Sequence, residues 1–172
     1  LGPCVAPHPS TLGMALLGYD AQVTVDGAGR RSIAALYGDG KQAASDHLLS
    51  ANELLTHIHL PLPIPDELSA YSRTISRARA EWPLVEVLVI GNGSESVQLA
   101  NVRVVIGGVA NVPLRLTTVE QFLNGQSALH VRYEEAGRLA TEGANPLPGT
   151  QYKVELVAKT VEETIQMAFS SL

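Results

Sequence analysis

Cysteine is almost missing: Cys4 is the single one among 172 residues. One thiol closes no intrachain disulfide, and it cannot supply the thiolate set of an iron–sulfur cluster or a structural zinc site. That usage is the pattern of a reducing compartment, and the cytoplasm is the expected location. No apolar run is long enough to span a bilayer, and no signal peptide is visible. A basic surplus is missing as well. The 12 basic and 17 acidic residues leave a formal net charge of −5, and the basic residues do not cluster, so neither nucleic acid nor an anionic membrane is an expected partner. No GxxxxGK[ST] phosphate loop occurs, and no Ser-His-Asp set or pair of acid–base carboxylates can be nominated, so no residue is assigned a catalytic role. The chain opens at Leu1, already in an apolar segment, which is expected of a piece of a longer protein.

What is present is organised around Leu99 to Pro113, LANVRVVIGGVANVP. Val102, Val104 and Ile106 alternate with Arg103 and Val105 in a β-branched run, the pattern of a half-buried strand. Gly107-Gly108 ends it, read either as a cofactor-facing turn or as a strand end that needs glycine for its geometry. Thr117-x-x-Glu120 follows as a capping box for a helix.

Upstream, Ser10 is a good N-cap for a helix carrying Leu12, Ala15 and Leu16. Ala21 to Val25 and Arg31 to Ala35 read as two strands around the Asp26–Gly29 turn, and Leu54 to Leu60 as a third. Pro61, Pro63 and Pro65 exclude a helix interior or central strand, so a linker is placed there, with one unit over residues 1–61 and another over 66–172. Ser69–Ser76, Pro83–Ile90 and the organising strand form an antiparallel set, with Gly91-Asn92-Gly93-Ser94 as the turn between the last two. Helices are expected near 117–124, 127–141 and 151–170. Three helices on three strands make an α+β subdomain.

Several motifs invite a chemical reading. Gly91-Asn92-Gly93 follows a strand but lacks the third glycine of a dinucleotide turn, so a hairpin turn is preferred. His57-x-His59 puts two imidazoles on one strand face, where half-exposed histidines without metal are preferred. His8, just before a helix start, either faces an anion or serves the cap. Ser10 and Thr11 offer hydroxyls and free N–H groups that suit a phosphate or a ribose hydroxyl, or simple capping. Lys153, in the first turn of the last helix, is either paired with an acidic group or solvated.

Five segments in order carry a resemblance: Cys4–Val23 (CVAPHPSTLGMALLGYDAQV), Ala51–Pro61 (ANELLTHIHLP), Ser69–Arg73 (SAYSR), Asn101–Arg115 (NVRVVIGGVANVPLR) and Asn145–Leu156 (NPLPGTQYKVEL). In order and spacing they resemble the second half of the FAD-binding subunit of the molybdenum hydroxylases, the family of xanthine dehydrogenase, carbon monoxide dehydrogenase and bacterial aldehyde oxidoreductases. The resemblance implies the tail of a flavin-binding α/β region, then a C-terminal subdomain with a three-stranded antiparallel sheet and about three helices. It implies partners: a molybdopterin-binding large subunit, a [2Fe–2S] small subunit and the N-terminal FAD-binding region whose glycine-rich segments lie upstream of Cys4. It implies cofactor-binding positions at Cys4, Ser10, Thr11 and Leu55, and, for a lysine expected after Ser-Ala-Tyr, at Ser72 or Arg73. The family pattern Pro-Ser-Asp stands here as Pro9-Ser10-Thr11, a neutral hydroxyl in place of a carboxylate, and Thr11→Asp is expected to strengthen the cofactor contact. FAD binding by this chain alone is expected to be weak or absent. A second reading is a cofactor-free interaction module that keeps the C-terminal scaffold.

Overall fold

The structure is a computed structural model that describes residues 6–42, 44–76, 82–94 and 97–170. Helix α1 (Thr11–Gly18) starts where the sequence places it: Ser10 is extended, and its Oγ accepts from the Gly13 N–H at 2.9 Å. Strands β1 (Gln22–Val25), β2 (Gly29–Ser32) and β3 (Leu55–His59) form an antiparallel sheet in the order β2-β1-β3. The second expected strand is shorter than read. Ser32 Oγ caps helix α2 (Ile33–Tyr37) through the Ala35 N–H at 3.1 Å, so residues 33–35 turn helical, with Ile33 and Leu36 buried. Exposed irregular chain, with all three prolines, follows β3 as far as Asp66.

Four antiparallel strands come next, β4 (Glu67–Thr74), β5 (Val85–Ser94), β6 (Val97–Gly107) and the two-residue β7 (Leu114–Arg115), in the order β4-β5-β6-β7. The expected set of three thus gains a short edge strand. The turn expected at Gly91–Ser94 is not there: these residues extend β5, and Ser94 pairs with Val97. Gly91 has a packing role instead. A Cβ on it would lie 3.0 Å from the Phe169 ring, so its absence lets that ring rest on the sheet.

Alternation along β5 sorts the core. Val85, Val87 and Val89 face one layer with Val104 and Ile106, under α3 (Thr117–Leu123) and α5 (Tyr152–Phe169), whose Val157, Val161, Ile165 and Phe169 are buried. Leu88, Ile90 and Val105 face the other layer, against Met14, Leu16 and Leu17 of α1 and Val23 and Val25 of β1. β5 is therefore buried on both faces, which is why VEVLVI is nearly continuously apolar. A 3-10 turn (Ala128–His130) and the single-bodied α4 (Tyr133–Leu139) replace the long helix expected over 127–141.

The capping box of α3 is not formed. Leu116 takes the N-cap place, and Glu120 turns to the sheet, accepting from the Val104 N–H at 2.9 Å and from Arg115 Nε at 2.5 Å. The buried carboxylate answers a strand N–H near the end of the short β7 pairing, and Arg115 balances its charge. Arg115 also reaches Asp20 at 2.6 Å and Arg103 comes within 3.9 Å of the same carboxylate, so charge pairs join the end of α1 to the large sheet, within which Arg103 also pairs with Glu67.

Candidate functional site

The first turn of α1 meets the large sheet at one buried acid. Glu86, the second residue of β5, is fully buried, and its Oε2 accepts from Thr11 Oγ1 at 2.8 Å and from Tyr71 Oη at 2.9 Å. Its Oε1 is buried without a hydrogen-bond partner. Gly107 leaves room for this carboxylate, since a Cβ there would lie 2.9 Å from both Glu86 Cγ and Oε1. Of the two corner glycines, Gly108 carries the conformational demand, with φ +75°, and Gly107 carries the steric one.

Around Glu86 the donors are already committed. His8 Nδ1 accepts from the Ser10 N–H at 3.2 Å, so its ring is held against the cap, edge-on to Tyr37 with centroids 5.2 Å apart. Burial pulls the His8 imidazole below its ordinary value, in keeping with a neutral acceptor nitrogen. Burial likewise pushes the Tyr37 hydroxyl up. For Tyr71, burial and the Glu86 carboxylate both raise the hydroxyl, which stays a neutral donor.

The structure separates the candidates named from sequence. Ser10 and Thr11 stand together at the start of α1. Arg73 lies directly opposite Glu86 in the β4–β5 register, two residues from Tyr71, and so shares the α1 face of β4. Ser72 points the other way, its Oγ 3.5 Å from Met167 Sδ of α5, so of the two positions for the expected cation only Arg73 meets the cluster. Leu55 is half-buried against the core that holds α1, and Cys4 lies outside the described residues. His57 and His59 stack at 6.0 Å, and His59 Nε2 is 2.7 Å from Thr24 Oγ1; no group of three metal-ligating residues forms among the described residues. Lys153 is half-buried and makes no ion pair among the described residues; its Nζ donates to the Gly108 carbonyl at 3.0 Å. Glu86 and Tyr71 were not singled out from sequence. The available signal was an acid inside the apolar run Val85–Ile90, which in a doubly buried strand has to find donors.

Residues 71–168 match the CO dehydrogenase flavoprotein C-terminal domain, and the chain belongs to that family. In structure it is similar to a chain of the reconstituted CO dehydrogenase from Oligotropha carboxidovorans, at 19% identity and TM-score 0.79, covering 96% of this chain and 58% of that one. A chain of the carbon monoxide dehydrogenase from Hydrogenophaga pseudoflava that lacks the Mo-pyranopterin moiety of the molybdenum cofactor gives 19% and 0.79, covering 95% and 57%. A chain of quinoline 2-oxidoreductase from Pseudomonas putida 86 gives 19% and 0.74, covering 98% and 59%. The present chain therefore spans less than two thirds of the chains it resembles. No protein of curated function matches it. No helix among the described residues is long and apolar enough to cross a membrane.

The α1–β4–β5 cluster fits only part of a flavin nucleotide. A pyrophosphate does not fit: the buried charge is a carboxylate, the Ser10 hydroxyl caps Gly13, and the Thr11 hydroxyl is held by Glu86. The rim fits an aromatic ring better, with Tyr71 exposed two residues from Arg73 on β4 and Leu12 exposed in the first turn of α1.

Proposed function

We propose that this chain is the C-terminal part of the FAD-binding subunit of a molybdenum hydroxylase and forms one wall of its flavin site. The observation that carries the reading is the shared face of Tyr71, Arg73 and Glu86, set against the first turn of α1, in a chain of the flavoprotein family. Ser10, Thr11, Leu12, Tyr71 and Arg73 would stand along the cofactor, with Leu55 in the supporting core. Residues 1–61 would then end the flavin-binding region, and 66–172 would be the C-terminal subdomain. The pyrophosphate cradle belongs, on this reading, to the N-terminal region upstream of Cys4. When bound, FAD supplies the redox chemistry, taking electrons from [2Fe–2S] centres and passing them to an external acceptor. The partners would be a molybdopterin-binding large subunit and a [2Fe–2S] small subunit in the cytoplasm. This chain contributes no catalytic acid or base; its side chains shape and exclude.

The test is the visible spectrum of the complete subunit purified with its N-terminal region. Flavin bands at near-stoichiometric occupancy are expected, with occupancy reduced in Arg73→Met and in Leu12→Asp. Full occupancy in both variants would remove these residues from the flavin wall, and a colourless complete subunit would overturn the reading.

A further inference from the structure

Across the Gly107-Gly108 corner from Glu86, a cleft of about 460 Å³ opens between the α4–α5 connection and the edge of the large sheet. Pro7, Leu114, Leu116 and Leu147 line much of it with apolar surface. Lys153 lines it too, as the second residue of α5. The Gly108 carbonyl satisfies one of its three ammonium donors and none of its charge. Glu142, the one acidic residue on the cleft, makes no ion pair with it, and burial pulls the ammonium below the ordinary lysine range with no opposing charge. The hydroxyls that share the lining are already used: Thr150 Oγ1 donates to the Leu147 carbonyl and Thr141 Oγ1 to that of Arg138.

We infer that this cleft binds a small organic carboxylate, with its apolar tail against Leu114, Leu116 and Leu147 and its carboxylate on Lys153. An unneutralised cation among apolar walls gains most from a compact anion that brings its own apolar body. A phosphate dianion would ask for further cations to balance its second charge, and the cleft offers one. The inference stands apart from the flavin reading and needs no cofactor.

The experiment titrates hexanoate, and the neutral hexanamide as its control, into the full chain, following the methyl NMR signals of Leu114 and Leu147. Hexanoate is expected to shift both at millimolar concentration and to bind at least about tenfold more tightly than hexanamide, the factor that about 1.4 kcal/mol represents. Lys153→Gln, which keeps a donor for the Gly108 carbonyl but no charge, is expected to erase that preference, and Lys153→Arg to keep it. A thermal melt of Lys153→Gln confirms that the comparison is between folded proteins. Equal binding of acid and amide, no shift with hexanoate, or an undiminished preference in Lys153→Gln would overturn the assignment.

Discussion

Glu86 sets the behaviour of its neighbours because its carboxylate is buried and takes the Thr11 and Tyr71 hydroxyls as donors. Thr11→Asp therefore replaces a donor by a second carboxylate, and against Glu86 the exchange is expected to weaken the fold rather than help a ligand. The loss of a hydrogen bond to a charged group costs about 1.5–3 kcal/mol, and like-charge repulsion adds to it. Denaturant melts should show Thr11→Asp less stable by at least that amount and Thr11→Ser close to the parent; an unchanged Thr11→Asp midpoint would show that the Thr11–Glu86 bond contributes nothing. His8 gives a pH signature. Burial lowers its folded-state pKa from the ordinary 6.5, so the unfolded chain binds the proton more readily. The stability this contributes is complete above the ordinary imidazole range and is lost as the pH falls through the lowered value. His8→Asn keeps an acceptor for the Ser10 N–H without titrating nearby. Between about pH 7 and about pH 5, the parent should lose melting temperature more steeply than His8→Asn. Parallel profiles would show that His8 carries no such linkage.

Among the elements, Gly137 of α4 packs closely on the backbone of α5. A Cβ there would stand 2.4 Å from the Ala158 carbonyl oxygen, which is backbone and cannot rotate away. Gly137→Ala should push the two helices apart and cost about 1–3 kcal/mol, the range for overpacking, read as a lowered denaturation midpoint. No change would mean that α4 sits further from α5 than described. The elements themselves were largely legible, because alternation in β6 and the helical spacing of Val157, Val161 and Ile165 are driven by one buried face each. What was not legible depended on distant partners. Glu120 left its capping box for the Val104 N–H, Ser32 turned a strand into a helix start, and Gly91 served Phe169 from the far end of the chain. Of the site, sequence pointed to Ser10, Thr11 and Arg73. It left open the choice between Ser72 and Arg73, since the side of a strand that faces α1 is set by tertiary packing, and it passed over Glu86 for the same reason.

For the whole molecule, charge pairs and the Leu88–Ile90–Val105 layer fasten the small sheet's unit to the large sheet, while the proline segment between them is exposed. A low-specificity protease should cut first in that segment or in the irregular stretch between α2 and β3, as exposed backbone is nicked before paired strands. Early cleavage within β6 would contradict the architecture. On the proposed reading this chain is one wall of a flavin site whose pyrophosphate cradle lies elsewhere in the subunit. Titrating FAD and following its fluorescence quenching, on this chain alone and on the chain extended by its N-terminal region, tests it directly. Weak or no binding by the chain alone and tight binding by the extended protein are expected. Micromolar or tighter binding by the chain alone, or none by the extended protein, would contradict it.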